Sequence, residues 1–316
     1  MLNIKIIGTE SLGVRGLCCG IKTPNRKIII DPCISLGYIR KGLMPHPVQI
    51  GVCEIIRTRI LKELEDATDI VFSHFHGDHI PLYDANPYQL SIDQVKTLPN
   101  NCKIWANCTE DSSTKIQQRA EALVLGLNCS FSEAIGAVDD SLYFFSPVPH
   151  GEKDSHLGNV TMTKITDGKE VFIHASDIQF SEDKTIAQLV EHHPTTVISS
   201  GPPMYLEDFM KCKYEIAQNN ILNLAKETKA LIIDHHVLRS VEGLNWISKL
   251  ALTPGTNIIC AADYMKIEKH MLEALRTELY NEFPVPAGWH ELYARKEVTT
   301  NEYLKLAREK YDWFSY

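Results

Sequence analysis

The fold of this chain is indicated by Asp-Ile-Val-Phe-Ser-His-Phe-His-Gly-Asp-His, which occupies residues 69–79. The stretch begins with an apolar run of β-branched and aromatic side chains, which predicts a buried strand. Imidazoles and a carboxylate follow at once, with Gly77 among them. Because glycine permits a sharp turn, this arrangement can bring several side chains to one place. The sequence therefore predicts a metal site at the end of a strand.

The side chains of this stretch indicate which ions the site would hold. Imidazole nitrogen and carboxylate oxygen together suit zinc, manganese and iron, whereas calcium and magnesium prefer oxygen ligands alone. His74 and His76 lie at the end of the strand and can face one ion, while Asp78 and His79 lie beyond Gly77 and can face a second. We therefore expect two divalent metal ions, with zinc first and manganese or iron as alternatives.

The composition limits the classes of protein to which the chain can belong. A chain of 316 residues with 44% apolar side chains can bury a sizeable core. We predict a single domain over residues 1–316, with C-terminal helices from about residue 264 packed on it. No apolar stretch approaches the length of a membrane span, and the first residues predict a strand rather than a signal peptide. The nine cysteines form no Cys-x-x-Cys pair, which predicts reduced, buried thiols. We expect a soluble, cytoplasmic protein.

The segment before the histidine-rich turn predicts a β-meander and then a helix. An amphipathic helix over residues 52–67 is expected to lead into the central strand. Asp31 ends the third strand of the meander and precedes proline, so on its own it is interpreted as a turn residue. Residues 35–50 predict a loop, in which His46 is a loop residue rather than a ligand. The meander strands are expected at residues 4–7, 16–23 and 27–31.

Two further candidate ligands follow strands later in the chain. A strand at residues 142–145 is followed by His150. Two strands joined by Asp167-Gly168, a strong hairpin signal, then precede Asp177. His174 lies inside the second of these strands and is interpreted as a packing residue.

The last candidate ligands are the adjacent histidines His235 and His236, which follow a strand at residues 229–234. Adjacent residues on an extended chain point to opposite faces, so both can reach one ion only if the chain turns. Spacing alone leaves the choice between them open. The second half of the chain alternates helix and strand, which predicts helices stacked on sheets. Helices are expected at residues 183–191, 206–228, 266–280 and 302–310, and strands at 196–199 and 256–260.

Together these residues resemble the His-x-His-x-Asp-His signature and the later ligands of the metallo-β-lactamase superfamily. The resemblance covers nearly the whole chain and is nearest to an uncharacterised, mainly archaeal branch of predicted metal-dependent hydrolases. Ser155, Leu157 and Gly158 follow His150 at the spacing of the superfamily's loop. The resemblance implies an α/β (α+β) fold: a four-layer αββα sandwich of two facing mixed sheets.

The resemblance also implies a role for each candidate residue. His74, His76 and His150 would hold the first ion, Asp78, His79 and His235 would hold the second, and Asp177 would bridge the two. Asp31 would support the histidine-rich loop. We prefer His235 to its alternative, His236, because Arg239 then follows at the distance typical of the phosphodiesterase branches. Asp78 would also be the catalytic residue that orients the attacking water.

The activity implied by these residues is hydrolysis by a water that two metal ions activate. A phosphodiester or a phosphate ester is the leading substrate class, with thioester, lactone or amide hydrolysis on the same site as the alternative. A diiron redox protein is a rival class, but its branch has a carboxylate at the position of His76. A metal-bearing binding protein without turnover is a second rival.

The expected partner is a small-molecule or ester substrate, recognised by the loops between the strands. A net charge of −8 and a pI near 5.9 disfavour general binding to a phosphate backbone. Nucleic acid is therefore not favoured, although a nuclease is left open, and no membrane contact is predicted. The oligomeric state is also left open, a homo-oligomer included. The loops expected to contact substrate are residues 38–50, 81–90, 152–158 and 201–206.

Overall fold

The computed structural model describes residues 2–95, 98–107, 113–139, 141–153 and 156–311. Within these ranges the chain forms two mixed β-sheets with helices around them, and the predicted αββα fold is confirmed. The strands are β1 (Asn3–Gly8), β2 (Cys18–Lys22), β3 (Lys27–Ile30), β4 (Asp69–Phe72), β5 (Lys103–Ala106), β6 (Ser132–Glu133), β7 (Val138–Asp139), β8 (Leu142–Phe144), β9 (Val148–Pro149), β10 (Asn159–Val160), β11 (Thr163–Thr166), β12 (Val171–Ser176), β13 (Thr196–Ser199), β14 (Ala230–Ile233) and β15 (Ile258–Ile259). The helices are α1 (Pro47–Leu64), α2 (Thr114–Leu127), α3 (Asp183–Glu191), α4 (Glu207–Cys212), α5 (Tyr214–Lys226), α6 (Val241–Leu250), α7 (Ala261–Met265), α8 (Arg276–Glu282), α9 (Trp289–Ala294) and α10 (Asn301–Tyr311).

The two sheets share one plan, in which an antiparallel meander continues into parallel strands. The first sheet has the order β1-β2-β3-β4-β5-β6 and is parallel from β3 onward. The second has the order β15-β14-β13-β12-β11-β8-β7 and is parallel from β12 to β15. The predicted hairpin joins β11 to β12, where Gly168 adopts a φ of 86°. Both sheets therefore present the carboxyl ends of parallel strands.

The sheets are held face to face by apolar side chains and by hydrogen bonds near the strand ends. The rings of Trp105 in β5 and Phe144 in β8 lie 5.0 Å apart. Where β4 and β12 end, the hydroxyls of Ser73 and Ser176 are 2.8 Å apart. In α/β folds ligands bind beyond the carboxyl ends of the strands. This sheet-to-sheet edge is therefore where the predicted ligands can meet.

Helix α1 begins earlier than the sequence pattern indicated. It starts at Pro47 rather than near residue 52, and the side chain of His46 caps it by accepting a hydrogen bond from the Val48 amide at 3.2 Å. Proline at the first helical position is a common start signal. The expected loop over residues 35–50 therefore ends at His46, which is a buried helix cap.

Two expected helices are interrupted in the structure. The helix expected over residues 206–228 divides into α4 and α5 at Lys213. The prediction of one helix over residues 266–280 is wrong, because α7 ends at Met265 and α8 begins only at Arg276. Between α7 and α8 the backbone is hydrogen-bonded to a distant segment: the His270 amide donates a hydrogen bond to the Ser11 carbonyl at 2.8 Å. Long-range pairing overrides helix propensity there.

The sequence also predicts a helix over about residues 111–127, of which α2 covers residues 114–127. Residues 111–112, where that helix is expected to start, lie outside the described residues, as does Ser155. In the part of the chain that is described, none of the helices combines the length and the apolar character required to cross a bilayer.

Candidate metal centre

The histidine-rich turn is braced by Asp31, which lies at the end of the neighbouring strand. Asp31 is fully buried and adopts a left-handed φ of 48°. Its carboxylate accepts hydrogen bonds from the Ser73 amide at 2.8 Å and the Ser73 hydroxyl at 2.6 Å. It also lies 2.8 Å from Nδ1 of His79. A carboxylate on one ring nitrogen fixes which nitrogen of His79 is turned toward the site.

One group of potential ligands joins the two sheets. The ligand atoms of His74, His76, His150 and Asp177 lie within 4.8 Å of one another. His74 and His76 follow β4, His150 follows β9, and Asp177 follows β12. These are the residues that the resemblance implied for the first ion, together with the bridging carboxylate.

A second group lies beside the first. The ligand atoms of Asp78, His79 and His235 also lie within 4.8 Å of one another. Nε2 of His235 is 3.3 Å from Oδ2 of Asp78. These are the residues that the resemblance implied for the second ion.

Asp177 lies between the two groups. The ring nitrogens nearest to Oδ2 of its carboxylate belong to residues from both sheets. They are Nε2 of His150 at 3.1 Å, of His79 and His236 at 3.3 Å, of His74 at 3.7 Å and of His235 at 4.0 Å.

Several atoms of this cluster are buried without a hydrogen bond. Among the described residues, Nε2 of His74, Nε2 of His79 and Oδ1 of Asp177 find no partner with acceptable geometry. A buried polar atom without a partner costs about 1–3 kcal/mol. The donor set of imidazole nitrogens and carboxylate oxygens, aimed at shared points, fits divalent ions such as zinc.

The electrostatics of the cluster hold most ligands in the form that binds metal. Burial, reinforced by the rings of His79 and His76, lowers the pKa of His74 well below its usual value. Burial and the His150 ring lower the pKa of His76 to about 4. Burial would raise the pKa of Asp177, but the neighbouring histidines outweigh it and hold that pKa well below its usual range. Neutral imidazoles and ionised carboxylates are the states that coordinate metal ions.

His79 behaves differently because two carboxylates flank it. Burial opposes its protonation, but Asp177 and Asp31 outweigh burial and raise the pKa of His79 well above its ordinary value. A proton on His79 and a cation next to its Nε2 would compete for the same position.

The adjacent histidines both turn toward the cluster. His235 adopts a left-handed φ of 51° and a turn of 3₁₀ helix follows at Val237–Arg239, so the chain is not extended there. The two rings stack with centroids 4.6 Å apart. His235 lies deeper and faces Asp78, whereas His236 lines the open side with Nε2 near Asp177. The turn that the spacing argument required is therefore present, and both rings reach the cluster.

Arg239 completes the side of the cluster next to Asp78. Its Nη2 lies 2.8 Å from Nε2 of His235 and donates to Oδ2 of Asp78 at 3.2 Å. Its Nη1 donates to the Tyr205 hydroxyl at 3.2 Å. The guanidinium therefore holds a fixed positive charge beside a candidate ligand of the second ion.

Sequence reasoning missed several residues that shape the centre. Gly16 donates its amide to Nδ1 of His235 at 3.1 Å with a φ of 123°, and a Cβ there would lie 2.8 Å from the Asp78 carbonyl oxygen. Nε2 of Gln179 lies 3.4 Å from Nδ1 of both His150 and His236. A glycine before a strand and a glutamine after Asp177 gave no specific signal, because their roles depend on residues far away in the chain.

A cavity of about 670 Å³ opens beside the cluster. Two of the four loops expected to contact substrate contribute to it, through Glu152 and Leu157 from one and Pro203, Tyr205 and Leu206 from the other. The described residues of loops 38–50 and 81–90 do not line it. Phe209 and Lys213, which the sequence analysis did not single out, form part of its wall.

Comparisons with known proteins agree with this architecture. No family model matches the chain. A UPF0282 protein of Methanosarcina mazei is 39% identical over 303 residues, covering 96% of this chain and all of that protein. A UPF0282 protein of Pyrococcus abyssi is 31% identical over 284 residues, covering 87% of this chain and 91% of that one.

Solved structures with the same fold are much more distant in sequence. The metallo-β-lactamase fold protein YhfI of Bacillus subtilis superposes with a TM-score of 0.50 at 12% identity, covering 82% of this chain and 96% of that one. Tm1679, described as a metal-dependent hydrolase of the β-lactamase superfamily, superposes with a TM-score of 0.50 at 9% identity and covers 82% of this chain and 95% of that one. The likeness establishes the metallo-β-lactamase fold.

Proposed function

From the premise that this chain belongs to the archaeal UPF0282 family and has the metallo-β-lactamase fold, we propose that it is a metal-dependent hydrolase of phosphodiesters or phosphate esters. The observation that carries the proposal is the position of Asp177, whose Oδ2 lies within 4.0 Å of Nε2 atoms from both groups of histidines. A carboxylate in that position can serve two cations at once.

The residues present fit two divalent ions, zinc being the first choice. His74, His76 and His150 would hold one ion, Asp78, His79 and His235 would hold the other, and Asp177 would bridge them. When bound, the ions would supply a nucleophilic water at neutral pH and stabilise the negative charge that develops on the ester.

Asp78 has the position expected of the residue that orients the attacking water. It borders the cavity and is partly exposed, whereas Asp177 is buried. Burial would raise the pKa of Asp78, but His235, His79 and Arg239 hold that pKa well below its usual range. An ionised carboxylate at the edge of the cavity can accept a hydrogen bond from a water and align it.

Arg239 supports a phosphate ester as the substrate. Its guanidinium borders the cavity next to Asp78, and a fixed positive charge stabilises the additional negative charge of a phosphoryl transition state. Arginine also matches phosphate oxygens with paired N–H donors.

An acyl substrate is the second candidate, because part of the cavity wall is apolar. Pro203, Leu206 and Phe209 are apolar residues of this wall. Such a surface suits the acyl chain of a thioester or lactone. A small ester of either class agrees better with the acidic chain than a nucleic acid does.

Metal analysis combined with a substrate screen tests the proposal. The protein is purified without chelator, its metal content is measured, and hydrolysis of a phosphodiester, a thioester and a lactone is assayed with zinc, manganese and iron. We expect about two ions per chain and phosphodiester cleavage. The Asp78→Ala variant should lose this activity, and Asp84→Ala, which removes an exposed carboxylate of the following loop, should retain it.

Three outcomes would contradict the proposal in different ways. Faster turnover of the thioester or lactone would favour the acyl substrate. Two irons with an oxygen-dependent change in absorbance would favour a diiron redox protein. Bound metal without turnover of any ester would favour a binding protein.

A further inference from the structure

One wall of the cavity is built by helix α4 and the residues that flank it. Leu206, Phe209 and Lys213 all line the cavity. Phe209 lies within α4, Leu206 precedes the helix and Lys213 follows it. Phe209 is buried, whereas Leu206 is 48% exposed. The wall therefore carries an apolar surface followed by one positive charge.

The cations that border the cavity differ in how firmly they are paired. Arg15 donates from Nε and Nη2 to the fully buried carboxylate of Glu273 at 2.7 and 2.5 Å. Such a two-fold, charge-assisted contact is among the strongest pairs in proteins. The guanidinium of Arg15 is therefore firmly paired with Glu273 and has a structural role.

Lys213 has a much weaker partner. Its Nζ lies 3.8 Å from Oε1 of Glu152, beyond hydrogen-bonding distance, and the side chain of Glu152 is 53% exposed. Exposed ion pairs of this kind contribute about 0–1 kcal/mol. The ammonium of Lys213 can therefore leave Glu152 for an anionic group of a ligand at little cost.

We propose that the wall formed by Leu206, Phe209 and Lys213 binds the part of the substrate beyond the scissile bond, and that this part is an apolar chain or ring ending in an anionic group. The apolar portion would pack on Leu206 and Phe209, and the terminal carboxylate or phosphate would pair with Lys213. This inference rests on the proposed function, because it assigns the scissile ester to the neighbouring metal centre.

Two non-hydrolysable probes test the inference without requiring turnover. An alkyl phosphonate and a phosphonate of the same length with a terminal carboxylate are titrated into the zinc-loaded protein by calorimetry, in a short and a long chain length. When the chain is long enough to reach from the metal centre to Lys213, we expect the carboxylated probe to bind about tenfold more tightly than the alkyl phosphonate, a difference of ~1.4 kcal/mol. The shorter carboxylated probe should lose this advantage.

Substitutions in and next to α4 identify the residue that recognises the anion. In Lys213→Met the two probes should bind equally, and Lys213→Arg should restore the preference. Lys211→Met is the matched control, because Lys211 lies two residues before Lys213, is 68% exposed and pairs with Glu207. Phe209→Ala should weaken both probes by a similar factor, since it removes apolar contact only.

The inference would be overturned if the wild-type protein bound both probes equally at every length or bound neither. A preference that survives in Lys213→Met, or that disappears equally in Lys211→Met, would also overturn it. If the preference depends on Lys213 but the protein cleaves no ester, the proposed function is contradicted and the proposed binding site is supported. If the protein cleaves esters but probe binding does not depend on Lys213, the proposed binding site is contradicted and the proposed function is supported.

Discussion

Two groups of wholly or partly buried histidines in this protein have opposite surroundings. In the candidate metal centre, Nε2 of His74 and Nε2 of His79 each lack a hydrogen-bond partner among the described residues. Near the C-terminal helices, both nitrogens of His46 are paired: Nδ1 accepts from the Val48 amide at 3.2 Å, and Nε2 donates to the Phe283 carbonyl at 2.8 Å. His290 lies between the hydroxyls of Tyr88 and Tyr280, each 3.0 Å from a ring nitrogen.

The difference shows that burial alone does not identify a ligand histidine. His74 and His79 each turn a nitrogen without a hydrogen-bond partner toward the Asp177 carboxylate, where a cation can bind, whereas both nitrogens of His46 and of His290 meet backbone or tyrosine partners. The first group should therefore respond to metal and the second to helix packing. Substitutions in the two groups should therefore differ in their effects on metal content and on stability.

Replacing the central carboxylate should have the largest effect. Asp177→Asn preserves the shape of the side chain but removes the charge that five imidazoles approach. We expect loss of both ions and a loss of activity beyond the roughly 10–100-fold that follows substitution of a residue that only supports a ligand. Elemental analysis of the purified variant measures its metal content, and an assay of ester hydrolysis measures its activity. Retention of both ions in the variant would show that Asp177 does not bridge them.

The adjacent histidines should differ in the number of ions lost. His235→Ala should release one ion of the two, because His235 faces Asp78 and His79. His236→Ala should retain both ions, because Asp78, His79 and His235 form the second group without it. Metal stoichiometry after dialysis against buffered zinc distinguishes the variants. The reverse pattern would transfer the ligand role to His236.

Replacing His46 should destabilise the fold without affecting metal content. His46→Ala removes a helix cap and a fully buried ring, and should lower the free energy of unfolding by about 4 kcal/mol. His46→Asn, which can still cap the helix, should cost about 1 kcal/mol less. Urea denaturation measures both values. A change in bound metal in either variant would contradict the division between the two groups.

The smallest expected effect is the pH dependence that His46 contributes. Burial lowers the pKa of His46 from 6.5 to about 4. Below pH 6.5 the unfolded chain binds a proton that the folded chain does not, so stability should fall as the pH drops toward 4. The loss amounts to about 3 kcal/mol, at about 1.36 kcal/mol for each pH unit.

The contribution of His46 is isolated by subtracting the stability of His46→Asn from that of the wild-type protein at each pH, with both proteins free of metal. The histidines of the metal centre then cancel. Parallel curves for the two proteins would show that His46 does not titrate in this way.

Much of the fold followed from local sequence patterns. The strand at Asp69–Phe72, the hairpin at Asp167-Gly168 and the helix at Asp183–Glu191 lie where the patterns indicated. Helix boundaries were less predictable, because the cap at His46 and the break at Lys213 leave little trace in hydrophobic spacing. Residues 266–275 avoid the expected helix because their backbone pairs with a distant segment, as the bond from the His270 amide to Ser11 illustrates.

The sequence by itself determined which chemical groups stand at the end of each strand, because strand patterns are local and the residues after them are read directly. Only the tertiary structure decided that Asp177 lies among imidazoles from both sheets, that a left-handed turn brings His235 and His236 to the same side, and that Lys213 faces the same cavity. Those positions depend on how two sheets pack across long separations in the chain, and no local pattern encodes that packing.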